Sequence, residues 1–320
     1  MTIAKLDASA KTASQATRRF AREQADRLLG RLAFQIGRAA KSHSPDAVHD
    51  LRVSIRRFGQ ALRVFKPCFR GKELRKVRRE LKRVMAVAGE VRNHDIALKL
   101  LAKSKRTEQT GLLGKIQSRR REVERSLVTL LKSWLDRKSS LKWRAALERA
   151  AADPREDFGK APIGQTARRM LPGMAQDFFE RGDQAVGAKA SPRELHEFRI
   201  ASKKFRYTLE LFTPLCGSAL ETKLEPMRGV QTLLGDLNDL ETLRNMLGQY
   251  EGTESKTAWL KKKQRKVLIE FREHWSKAFG SSEERQSWIY FLKHLALEPR
   301  AAKKPVGAAS RNRLGRGAVA

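Results

Sequence analysis

The segment Ser44–Phe65, SPDAVHDLRVSIRRFGQALRVF, returns 147 positions later, without a gap, as SPRELHEFRIASKKFRYTLELF at Ser191–Phe212. Under that shift Ser44, Pro45, His49, Arg52, Phe58, Leu62, Phe65 and Pro67 fall on Ser191, Pro192, His196, Arg199, Phe205, Leu209, Phe212 and Pro214. Arg56 and Arg57 fall on Lys203 and Lys204. An ungapped repeat of this length means two copies of one structural unit, so only folds with internal symmetry remain open.

Each copy reads as a helix. Ser44 and Ser191 suit an N-cap, and a proline at the first helical position loses nothing by lacking its N–H. Ser191 with Glu194 fits a capping box, which Ser44 cannot form because Ala47 stands at the partner position. Pro67 and Pro214 are expected to end the two helices.

At 100° per residue two faces separate. Leu51, Ile55, Phe58, Leu62 and Phe65 form an apolar stripe at spacings of four and three. Beside it His49, Arg52, Arg56 and Arg63 form a cationic stripe, matched in the second copy by His196, Arg199, Lys203 and Arg206. Arg57 and Lys204 point away from both stripes and are expected in solvent. An ordinary solvated helix face mixes signs, because Glu–Lys pairs at i, i+4 stabilise it. A single-signed stripe bordering the core leaves repulsion that an anionic partner would relieve.

The whole chain agrees. With 68 Lys+Arg against 35 Asp+Glu in 320 residues, the net charge is +33. The partners it implies are polyanions: nucleic acid, an anionic membrane surface or inorganic polyphosphate. No run of about 18 apolar residues exists, so no span of a membrane is expected. The N-terminal segment lacks the apolar stretch of a secretory signal, although its basic, Ser- and Ala-containing character also suits a transit peptide. A cytoplasmic location is the expectation. The two cysteines, Cys68 and Cys216, read as apolar thiols, with one disulfide as the alternative.

Taken in order, residues 1–15 are expected to be flexible, followed by a helix over about Thr17–Ala40 and the first basic helix. A helix over Glu73–Ala88 carries Leu74, Val77, Leu81, Val84 and Ala88 inside and a second cationic stripe of Arg75, Arg78, Arg79 and Lys82. Residues Lys41–Arg83 hold 14 Lys/Arg and 4 Asp/Glu, a net +10. Gly89 is expected to close that helix at a turn, with its counterpart at Gly235–Asp239. Helices over about Gly111–Arg137, Trp143–Ala152, Ile163–Arg181, Lys256–Phe279 and Glu284–Leu297 complete the pattern, and the basic tail 298–320 is expected to be disordered. No stretch alternates with period two, so the chain reads as all-α. The halves are placed at about 16–140 and 160–297.

The paired motif H-x-x-R-x-x-x-[RK]-[RK], each time followed by a basic Leu/Phe-rich helix and a G-x-x-[RN]-[ND] element, resembles the CHAD domain, the conserved histidine α-helical domain, over about residues 12–297. The resemblance implies two four-helix-bundle-like halves related by a pseudo-two-fold, with the basic helices lining a central channel. It implies binding of inorganic polyphosphate and residence at polyphosphate granules. It also implies a stand-alone member, without the CYTH triphosphatase barrel to which such domains are often fused, and no cofactor. The motif carries over at His49, Arg52, Arg56 and Arg57, and at His196, Arg199, Lys203, Lys204 and Arg206, while Lys82 and Arg228 match the family's basic position on the following helices. With Arg63, Arg75 and Arg79 from the stripes, these make up the candidate polyphosphate site. Gly59 stands where the second copy has Arg206, so Arg63 one turn on is the substitute.

Rival chemistries fit less well. A metal needs converging ligands, yet the neighbours of His49 and His196 are cations. An imidazole donating to phosphate, or packing near a helix start, suits the pattern. Trp134, Trp143, Trp259, Trp275 and Trp288 sit at apolar helical positions away from the basic stripes, which speaks against base stacking. Non-specific nucleic-acid binding through phosphates alone remains the alternative. No P-loop, carboxylate cluster or activated nucleophile stands out, so the expected role is non-catalytic. No protein partner is implied.

Overall fold

The computed structural model describes residues 3–69, 71–103, 110–152, 162–216, 218–250 and 253–295. They form α1 (Ile3–Lys41), α2 (Pro45–Val64), a 3-10 turn (Lys66–Cys68), α3 (Lys72–Ala102), α4 (Thr110–Asp136) and α5 (Ser139–Ala152). The second half supplies α6 (Ile163–Val186), α7 (Pro192–Cys216), α8 (Ser218–Leu247), α9 (Glu254–Phe279) and α10 (Ser282–Lys293). No strand occurs among the described residues, and the fold is all-α.

Helices α1 to α4 pack in a ring, each on its chain neighbour, with α4 closing on α1; α6 to α9 repeat the arrangement. The fifth helix of each unit, α5 or α10, lies against the first helix of its own bundle. The two bundles meet where α2 packs on α7, α3 on α8 and α1 on α6. Phe65 and Phe212, mates in the repeat, meet with ring centroids 6.3 Å apart, and Phe20 packs against both. The pseudo-two-fold therefore passes between α2 and α7. Below these rings Gln60 donates across the axis to the Thr208 hydroxyl at 2.8 Å. A buried side-chain amide satisfied in this way fixes the register of the two halves.

The sequence rules for the basic helices hold at their starts. Ser44 Oγ accepts from the Ala47 amide at 3.1 Å. Ser191 forms the full capping box: its Oγ accepts from the Glu194 amide at 3.2 Å, and Glu194 accepts from the Ser191 amide at 2.7 Å. The apolar stripe of α2 is buried throughout, as are Phe198, Phe205, Leu209 and Phe212 on α7. Trp134, Trp143, Trp275 and Trp288 belong to the core, and Trp259 packs against its edge.

Several boundaries differ from expectation. Helix α3 runs unbroken through Gly89 and Asn93, and α8 runs unbroken through Gly235–Asp239. One interior glycine costs a helix only about 1 kcal/mol, less than the burial of Val84, Ala88 and Val91 around Gly89 returns. Pro214 does not end α7, which continues to Cys216 because Leu215 and Cys216 still pack on the core. Pro67 does mark the end of α2, where the chain tightens into the 3-10 turn. Helix α1 begins at Ile3 rather than near Thr17, in an alanine-rich stretch of high helix propensity. The tail 298–320 lies outside the described residues.

Candidate functional site

Because α2 and α7 flank the pseudo-two-fold, the first turns of their cationic stripes face one another. Arg52 and Arg56 come from α2, Arg199 and Lys203 from α7. Burial, then the charges of Arg56, Arg199 and Arg92, push the Arg52 guanidinium down to about 10, with Asp239 opposing. Arg199 is lowered by burial and by Arg56, again against Asp239, and its Nε is buried without a hydrogen-bond partner. Lys203 is displaced furthest: burial, Arg199 and Arg56 bring its amine from 10.5 to about 6. His49 stands at the exposed mouth, where partial burial and then Arg92 lower its pKa. Asp239 is the one carboxylate among the charges acting most strongly on Arg52, Arg199 and Lys203.

Gly89 explains part of this placement. A Cβ built there would stand 2.7 Å from Arg52 Nη1. The missing side chain lets Arg52 lie against α3, within 3.4 Å of the Met85 carbonyl. The glycine read from sequence as a helix stop is thus the seat of a half-buried guanidinium.

The remaining sequence candidates divide. His196 lines a cavity beside Arg199. Arg57 is not the solvent-facing residue expected: at 33% exposure it pairs with Glu210 of α7 at 3.0 Å, across the interface that α2 makes there. Glu210 also binds Arg206, whose Nε donates to Gln231 at 2.6 Å and whose guanidinium lies 4.8 Å from the Tyr207 ring centre. Arg206 is therefore locked in a network, and Gly59 removes no exposed cation from the first half. Arg228 pairs with Glu225 and sits in a separate groove with Arg27, Arg31 and Arg57. Arg63 is exposed and donates to Gln60 at 2.9 Å. Arg75, Arg79 and Lys82 are exposed on α3; Arg75 lies roughly 20 Å along the helix from Gly89, at 1.5 Å per residue. Lys204 is exposed, as expected. Among the described residues no group of three or more His, Cys, Asp and Glu is placed to hold a metal ion.

What the geometry offers is a pair of symmetry-related basic helices whose half-buried basic groups converge with little counter-charge. The model of the CHAD domain family matches residues 23–248. The chain belongs to the CHAD domain family. The crystal structure of the CHAD domain from the plant Ricinus communis superposes with a TM-score of 0.62 at 18% identity, covering 86% of this chain and 92% of that one. PptA from Streptomyces chartreusis gives a TM-score of 0.50 at 16% identity, over 80% of this chain and 99% of that one. At such identities the likeness is one of fold. No curated protein sequence matches the chain.

Within this CHAD domain, sequence reasoning missed Arg92 and Asp239 as members of the cluster. Both stand in the two segments singled out as turns, and a helical reading through Gly89 and Gly235 would have carried them inward. Among the described residues no helix is long and apolar enough to cross a membrane.

Proposed function

We propose that this CHAD domain binds inorganic polyphosphate between α2 and α7, with Arg52, Arg56, Arg199 and Lys203 as the inner contacts and His49, Arg92 and His196 at the margins. The observation that carries the reading is the meeting, on the pseudo-two-fold, of three guanidinium groups and the Lys203 amine, opposed mainly by Asp239. Elsewhere this chain neutralises partly buried arginines with carboxylates, as Arg120 with Asp95 and Glu124, and Arg57 with Glu210. Leaving the central group unneutralised costs folding energy that a polyanion returns on binding. A flexible chain of phosphates supplies charge at every repeat, and guanidinium forks bind two oxygens at once. The reading makes the domain a binding module rather than a catalyst, and polyphosphate granules its place of action.

The test is a competition between long-chain polyphosphate and duplex DNA or RNA at equal phosphate concentration and at two salt concentrations. Polyphosphate is expected to displace the nucleic acids, with an affinity that falls as salt rises because counterions are released. Equal or tighter binding of duplex DNA would transfer the site to nucleic-acid backbones.

A further inference from the structure

Between α7, α8 and α9 a cavity of about 230 Å³ opens beside Arg199. Leu195, Leu234, Leu237 and Leu268 give it apolar walls, while Asn238, Glu241 and Gln264 lie along its edge. The pseudo-symmetry supplies an internal control. The 146-residue offset between Gly89 and Gly235 places Asp95 where Glu241 stands in the second half.

In the first half that place is filled. Arg120 of α4 donates to Asp95 at 2.7 Å and to the His43 carbonyl at 2.9 Å, and pairs with Glu124 at 2.9 Å. Its side chain is 13% exposed and that of Asp95 only 2%. In the second half α9 presents the shorter Gln264, which donates to Glu241 at 3.0 Å. Ala190 stands where the 147-residue offset would place a counterpart of His43. The carboxylate that Arg120 of α4 holds in one half is held in the other by Arg244 of its own helix and by the shorter Gln264, beside an open cavity.

The chemistry of the opening is specific. Burial alone would raise the Glu241 carboxyl, but hydrogen bonds from Arg244 and Gln264 hold it below its ordinary range, so it is an ionised acceptor. A carboxylate, two amide side chains and leucines lining one cavity suit a flat heteroaromatic ring with N–H and carbonyl groups on its edge. At the other end Arg199 lines the cavity, and Arg56 and Lys203 lie next to it in the cationic cluster. We propose that this cavity takes the base of a nucleoside triphosphate, whose phosphates run over Arg199 onto the cationic cluster. The proposal rests on the polyphosphate reading for the phosphate tail alone; the base site stands on the cavity.

Isothermal titration of the full chain with ATP, GTP, UTP and inorganic tripolyphosphate tests it. At least one nucleotide should bind about tenfold or more tightly than tripolyphosphate, the margin that a small apolar pocket commonly gives. Gln264→Arg, which copies the filling of the first half, and the uncharged Leu268→Phe should each remove that margin. Comparing the ratio of nucleotide to tripolyphosphate affinity cancels the charge that the arginine adds. Circular dichroism checks that each variant folds, and if one does not, the other decides. The proposal is overturned if no nucleotide exceeds tripolyphosphate, or if the margin survives in a folded variant. Loss of tripolyphosphate and long-chain polyphosphate binding together would instead bring down the polyphosphate reading, and the nucleotide tail with it.

Discussion

Lys203 links the electrostatics of the free cluster to a measurable proton. With its amine at about 6, only about one molecule in a hundred carries that charge near pH 8. Arg199 and Arg206 on its own helix and Arg56 on α2 oppose protonation, and Asp239 on α8 favours it. A seated phosphate reverses the balance. One added unit charge at about 4 Å, at an effective dielectric constant near 20, contributes about 4 kcal/mol, or roughly three pKa units. The bound amine is then held protonated well above its free-state value, so binding takes up close to one proton between about pH 6.5 and 8.5. Linkage sets the consequence: affinity should fall by about tenfold per pH unit, or about 100-fold across that window. Calorimetry in two buffers of different ionisation enthalpy counts the proton directly. Replacing His49 and His196 by glutamine in the background removes their contribution. In that background Lys203→Met should abolish both the uptake and the slope. Identical proton uptake with and without Lys203→Met would refute the argument, because Lys203 would then be charged already in the free protein.

The free protein should show the matching effect on stability, with the opposite pH sense. The folded pKa of Lys203 lies below its unfolded value, so the unfolded chain holds more protons between about 6 and 10.5. Stability is therefore lost as pH falls through that window, by about 1.4 kcal/mol per unit from this group, and Lys203→Met should be increasingly favoured over wild type toward pH 6 in denaturant melts. Reversing Arg52 and Arg199 together to glutamate should remove most polyphosphate affinity, whereas the equal charge change at Arg75 and Lys204 should remove only a salt-screened part; equal losses in a titration would mean a diffuse basic surface rather than a site. Gly89→Ala should leave the fold intact and raise stability by up to about 1 kcal/mol, yet weaken polyphosphate binding, because only the flexible end of Arg52 has to move out of its seat. Gly182→Ala should lower stability by about 1–3 kcal/mol without a comparable change in affinity, since its Cβ would fall within 1.9 Å of the Trp275 ring in the packed core; a thermal melt that shows no loss would contradict that packing.

Much of this protein is legible from its letters because the signals are local. Ser44 and Ser191 mark helix starts through hydrogen bonds reaching only three residues along the chain. The spacing of Leu51, Ile55, Phe58 and Leu62 determines a buried face, since 3.6 residues per turn is a property of any α-helix. The ungapped repeat makes two like bundles, and the single-signed stripes contain Arg52, Arg56, Arg199 and Lys203, which meet near the axis. What lies beyond local rules was settled by packing across the axis. Gly89 looks like a helix stop until the Arg52 side chain is seen to occupy the space that its missing Cβ leaves. Arg57 looks like a ligand cation until Glu210 of α7 is seen to pair with it across the axis. Arg92 and Asp239 enter the cluster because α3 packs on α2 and α8 on α7. The different neighbours of Asp95 and Glu241 depend on contacts from α4 and α9, which lie outside the segment repeated in sequence. Periodicity places a side chain on its own helix; desolvation and charge neutralisation depend on which other helix it faces, and that is a property of the tertiary structure alone.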